Sequence, residues 1–90
     1  MLFVWDPFKA VDNLAKHGVS FDEATTVFDD LLATTAADLA HSIIEERFVT
    51  FGLSTRGRLL AVAHTERGDT IRIISARTMT PAERTIYEEG

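Results

Sequence analysis

Asp69-Thr70-Ile71-Arg72-Ile73-Ile74-Ser75-Ala76-Arg77 places two arginines on one apolar, strand-forming run. A guanidinium stays charged at any working pH and presents a planar fork of donors that matches phosphate or carboxylate oxygens. Arginine on a rigid strand therefore points to an anionic ligand. His64 and Arg67 lie just ahead of this run, and Lys9, Lys16 and His17 lie near the N-terminus. Histidine takes and gives protons near neutrality. These residue types meet the demands of metal-free RNA cleavage. A base removes the 2′-OH proton, cations hold the charge of the pentacoordinate phosphorane, and an acid protonates the departing 5′-oxygen.

Each candidate also has a plainer reading. His64 shares strand parity with Arg58, Leu60 and Val62, and is either a catalytic imidazole or a half-buried one bonded to a neighbouring strand's side chain. His17, between Lys16 and Gly18, suits a helix C-terminus as a capping cation as well as a proton carrier. Strict alternation gives Arg77 the parity of Ile71, Ile73 and Ser75 and puts Arg72 on the other face with Ile74, so the two are not expected to share a site. Arg72 then reads as an ion-pair or partner contact. Arg67 at a turn tip is a solvated charge or a substrate contact. Lys9 is a phosphate contact or an ordinary helix-surface lysine. Trp5 stacks on a base or fills the core.

Composition narrows the field. Ninety residues with 46% hydrophobic and 26% charged content are expected to form one small domain spanning 1–90. Cysteine is absent, which removes disulfides and thiolate metal sites. His41 with Glu45 and Glu46 has no recognised ligand spacing, so neither metal nor cofactor is expected. No apolar run approaches the ~20 residues of a membrane span, and the first residues lack a basic signal-like start, so a cytoplasmic location is the expectation. The net charge of −5 disfavours direct DNA binding. Residues 1–46 carry nine acids against two lysines, whereas residues 47–84 carry seven arginines against three acids. That asymmetry suggests a basic sheet surface.

The elements that must position these groups follow from period and punctuation. Leu2–Trp5 is a short strand. Asp6 caps a helix with Pro7 in its first turn, and Phe8, Val11, Leu14 and Ala15 form its expected buried stripe; Gly18 ends it. Ser20-Phe21-Asp22-Glu23 reads as a capping box opening a second helix with Phe21, Ala24, Val27 and Phe28 inward. Residues 31–35 are a possible strand, and 36–46 a loop with some local helix. From Arg47 the period becomes two: Arg47–Leu53, Arg58–Thr65 and Thr70–Arg77 form an antiparallel meander joined by Gly-containing turns. A helix from Pro81 to about Glu89, capped by Thr80 and Glu83, closes an α+β domain.

The residues that punctuate this pattern also resemble a known family. Trp5-Asp6-Pro7-x-Lys9, Asn13-x-x-Lys16-His17-Gly18-Val19-Ser20-Phe21-x-Glu23-Ala24 and Val27-Phe28-Asp29 are similar to the N-terminal signature of BrnT-type toxins. So are Glu46-Arg47, Gly52, Gly57-Arg58-Leu59-Leu60, Ile71–Arg77, Glu83-Arg84 and Tyr87. The resemblance covers nearly the whole chain. It implies a RelE-like fold and a ribonuclease toxin that cleaves RNA and halts translation. It further implies neutralisation by a BrnA-type antitoxin with a ribbon-helix-helix part, through which alone operator DNA is met. On this resemblance Arg77 holds the phosphate, joined in catalysis by His64, His17 and Arg67. Lys9, Lys16 and Tyr87 contact substrate, Tyr87 alternatively packing its helix on the sheet. The rival reading is a catalytically weak module serving as antitoxin ligand and co-repressor, motivated by the acidic first half and the apolar 31–44 segment.

Overall fold

A computed structural model describes residues 1–90. Strands β1 (Leu2–Val4), β2 (Thr34–Ala37), β3 (Phe48–Leu53), β4 (Leu59–Arg67) and β5 (Thr70–Thr78) form one sheet in the order β1-β5-β4-β3-β2. The β3-β4-β5 meander is present within two residues of its expected bounds, and β2 extends it antiparallel along β3. β1 lies on the far side, parallel to β5. The strand considered for residues 31–35 begins three residues later, at Thr34, and a 3-10 turn follows at Leu39–His41.

Helices α1 (Pro7–His17) and α2 (Phe21–Thr25) follow β1, and α3 (Pro81–Glu89) follows β5. Asp6 accepts from the Phe8 amide, Pro7 occupies the first turn, and Gly18 closes α1 at φ 68°, a left-handed conformation that glycine adopts without steric cost. At α2 only half of the expected box forms. The Ser20 hydroxyl accepts from the Glu23 amide at 3.0 Å, but the Glu23 carboxylate turns to Arg58 and Ser54. The Thr80–Glu83 box of α3 is complete.

The core joins Val19, Phe21, Ala24 and Val27 to Leu60 and Val62 of β4 and to Ile71, Ile73 and Ala76 of β5. Phe3, Trp5, Ala10 and Phe28 pack around it. Trp5 meets Phe21 edge-on at 5.9 Å, which places it in packing rather than on a free surface.

α1 does not bury the stripe its periodicity suggests. Phe8 and Val11 are 86% and 72% exposed, and Leu14 and Ala15 also face solvent. The helix approaches β5 instead through Ala10 and Asn13. β1 ends opposite Arg72, leaving the β5 backbone beyond it unpaired on that side. The buried Asn13 amide fills the gap: Nδ2 donates to the Ala76 and Val19 carbonyls, each at 2.9 Å, and Oδ1 accepts from the Ala76 amide at 3.0 Å. Unpaired buried backbone groups are costly, and a small alanine beside Asn13 permits the close approach.

A second departure decides the geometry of the site. Between Ala63/His64 and their β5 partners the register skips Ile74. This β-bulge reverses the alternation downstream. Ile71 and Ile73 face the core, and so does Ala76; Arg72, Ser75 and Arg77 consequently share the opposite, uncovered face. Strict alternation would separate Arg72 from Arg77, and the bulge brings them to one face instead.

Candidate functional site

His64 lies on the core face, in the alternation of Leu60 and Val62, whereas Arg77 pairs with Ala61 on the other face. The two cannot act on one phosphate. His64 is 0% exposed, between Phe28 at 5.0 Å and Phe48 at 5.9 Å. Its Nε2 bonds the Thr50 hydroxyl at 2.7 Å, which in turn bonds the Thr35 hydroxyl at 2.7 Å. Nδ1 has no hydrogen-bond partner. The Glu66 carboxylate, 3.7 Å away and half exposed, is beyond hydrogen-bonding reach. Burial pushes the His64 pKa down to about 4. The imidazole is neutral, and its plainer reading, a histidine bonded across strands, is the observed one, although burial is complete.

On the uncovered face, Ala61, Ala63, Val49 and Ser75 floor a hollow of about 280 Å³ edged by Arg47, Arg77, Asp38 and His41. Small side chains on three adjacent strands leave room there, because longer ones would stand up from the sheet. Arg77 is oriented by α3: its Nη1 and Nη2 donate to the two Glu83 oxygens at 2.7 and 3.0 Å. Arg77 holds the Glu83 carboxyl down at about 2. Arg47 makes no side-chain hydrogen bond or ion pair. His41 Nδ1 bonds Asp38 Oδ2 at 2.9 Å, an arrangement that orients an imidazole and leaves its Nε2 available. Strand parity with Val49 could have drawn attention to Arg47. The placement of His41, in the poorly patterned loop, had no such signal.

Lys9 and Lys16, seven residues and so two turns apart, share a side of α1 with His17, eight residues from Lys9. With Asp12, Ile74 and Ser75 they edge a second hollow of about 240 Å³. Lys16 pairs with Asp12 at 3.0 Å. Ser75 lines both hollows, so the one edged by the α1 cations and the one edged by Arg47 and Arg77 adjoin at that residue. Arg67 lies farther along the same face with Arg72, Thr65 and Thr70. Tyr87 is taken up structurally, its hydroxyl donating to Asp30, which also accepts from the Leu53 and Leu32 amides. The bond to Asp30 raises the phenol to about 12, and the side chain serves to anchor α3.

Arg58 belongs to another cluster. It bonds Glu23 through two nitrogens and the Gly18 carbonyl at 2.9 Å, while Ser54 donates to Glu23 at 2.8 Å. The Arg58 guanidinium holds the buried Glu23 carboxyl below its ordinary range. This ties the α1–α2 connection to the start of β4. No group of three or more His, Asp or Glu side chains is placed to hold a metal ion.

A five-stranded sheet with helices on one face, and with Arg47, Arg67, Arg72 and Arg77 on the other, defines a small α+β protein. The model of the family described as the ribonuclease toxin, BrnT, of type II toxin-antitoxin systems matches residues 5–83, and the chain belongs to that family. The 1.1 Å crystal structure of the Brucella abortus ribonuclease toxin BrnT is similar at a TM-score of 0.67 and 25% identity, over 89% of this chain and 99% of that one. No curated protein matches the sequence.

Proposed function

We propose that this chain is a metal-independent endoribonuclease toxin that cuts RNA at the hollow between Arg47 and Arg77 and so inhibits translation. A BrnA-type, ribbon-helix-helix antitoxin neutralises it and carries the pair to operator DNA. The observation behind this reading is a pair of hollows that adjoin at Ser75, one edged by Arg47, Arg77 and the Asp38-bonded His41 and the other by Lys9, Lys16 and His17, in a member of a ribonuclease family. His41 Nε2 takes the 2′-OH proton. The 2′-oxygen then bonds to phosphorus while Arg47 and Arg77 hold the phosphorane oxygens. His17 returns a proton as the bond to the 5′-oxygen breaks, leaving a 2′,3′-cyclic phosphate and a 5′-hydroxyl. Lys9 and Lys16 hold the adjoining backbone. His64 has no part in these steps.

Two exposed apolar surfaces support a protein partner. One is the Phe8/Val11/Leu14 stripe, and the other holds Leu39, Ile43 and Ile44. Apolar area of this kind on a small protein marks interaction surfaces. The test is incubation of the purified protein with RNA in EDTA. Expected are cyclic-phosphate termini, with Arg77→Ala and His41→Ala each slowing cleavage by roughly a hundredfold or more. Cleavage that requires added Mg²⁺, or variants as fast as the parent, would refute the assignment. A parent that binds antitoxin tightly yet cuts nothing would favour the module reading, which the engagement of Arg77 by Glu83 makes specific.

A further inference from the structure

We infer that the cleft between Arg67 and Arg72 is a second phosphate-binding site, holding single-stranded RNA two nucleotides away from the bond cut between Arg47 and Arg77. The inference rests on the function proposed above and adds where the flanking strand runs.

Three observations converge. The bulge at Ile74 puts Arg72 on the same face as Ser75 and Arg77, and direct pairing of Arg67 with Thr70, and of Thr65 with Arg72, puts Arg67 there too. Next, Arg58, Arg77 and Arg84 each have a carboxylate partner, whereas the side chains of Arg67 and Arg72 have none. Two unpaired guanidiniums on neighbouring strands repel each other unless an anion lies between them. Finally, they edge a cleft of about 260 Å³ with the hydroxyl-bearing Thr65 and Thr70, and threonine hydroxyls also donate to phosphate oxygens. Glu45 and Glu66 also border this cleft, and neither lies within ion-pair distance of the arginines. The Glu66 carboxylate lies 3.7 Å from His64 Nδ1.

Register supplies the spacing. Arg72 lies opposite Thr65 and Arg77 opposite Ala61, four residues apart on β4. At the usual rise this is roughly 13 Å, about two steps between neighbouring phosphates of an extended strand. A folded duplex presents its phosphates on a convex surface and does not follow a single β-strand in this way, so single-stranded RNA is the fitting ligand.

The experiment measures kcat and KM of the full-length protein on a nested series of single-stranded RNAs around one cut site, lengthened a nucleotide at a time in each direction. The expected result is a gain of roughly tenfold in kcat/KM when the second flanking phosphate is added on one side. Arg67→Ala and Arg72→Ala lose that gain through KM, and Arg72→Lys retains part of it. Affinity for the matching 2′-deoxy strand, which cannot be cut, falls more gently with salt, the slope decreasing by about 0.7 for each arginine removed. Equal efficiency at every length, an undiminished gain in both variants, or variants that lose antitoxin affinity but keep the strand would overturn the inference. If the parent cuts no RNA, the proposed function fails, while the 2′-deoxy binding slope still decides the cleft.

Discussion

Acid should loosen this protein well before its carboxylates titrate, through His64. The imidazole is fully buried, its Nδ1 lacks a partner, and its pKa is pushed from 6.5 to about 4. A base with a depressed folded-state pKa contributes stability above its unfolded value, and that contribution is lost as pH falls from 6.5 toward 4. Linkage over this window gives a loss of about 2 kcal/mol between pH 7.5 and 5, approaching about 3 kcal/mol below pH 4. The lowered carboxyls of Glu23, Asp30 and Glu83 act in a lower window, since their contributions are present above their ordinary values near 4 and disappear beneath them. For a chain of this length, with a urea dependence of about 1 kcal/mol per molar, the unfolding midpoint should drop by about 2 M from pH 7.5 to 5. His64→Gln keeps a polar group beside Thr50 but cannot titrate, and should flatten this slope. A parent midpoint unchanged over that range, or an equally steep slope in His64→Gln, would refute the assignment of the effect to burial of this ring.

Other perturbations follow from the same contacts. Arg58→Ala strands the Glu23 carboxylate, 2% exposed, and should cost roughly 3 kcal/mol by urea titration at pH 7, more than Arg56→Ala, whose side chain has no partner. A methyl group at Gly52 would meet Val27 Cβ at 3.0 Å and its carbonyl at 3.1 Å, so Gly52→Ala should destabilise by about 1–3 kcal/mol. Phe8→Ser and Val11→Ser should change stability by less than about 0.5 kcal/mol, since both side chains are in solvent. The same pair should weaken the antitoxin complex measurably by calorimetry, and an unchanged affinity would show that the stripe lies outside the contact.

Elements marked by strong local chemistry were legible in the chain. Asp6-Pro7, Gly18 and Thr80/Glu83 bound their helices as expected, and the period-two runs after Arg47 form the meander. What escaped depended on contacts distant in sequence. An amphipathic pattern reveals that a helix has an apolar face but not what covers it, so periodicity alone puts the Phe8/Val11 stripe in the core although it faces solvent. Asn13, polar and unremarkable in sequence, is buried because Ala76, 63 positions away, presents an unpaired backbone. The cations of α1 assemble as their spacing suggests, but His64 and Arg77 do not join each other, since strand parity cannot register a one-residue bulge. His41 enters the candidate site only because the loop after β2 folds back beside Arg47.

The extra residue at Ile74 makes the length of β5 more consequential than most of its side chains. Adding one more position between Ser75 and Arg77 would turn the outer end of the strand over, sending a guanidinium toward Leu60 and Val62 and an alanine out to the floor of the hollow, whereas removing Ile74 itself would restore regular alternation and keep Arg77 outward. Such an insertion would injure packing and the charged surface at once, whereas substitutions at Ile74 itself, which has no partner on β4, leave that division of inside from outside intact. Aligning relatives across this strand by hydrophobic rhythm alone would therefore misplace their arginines by one step.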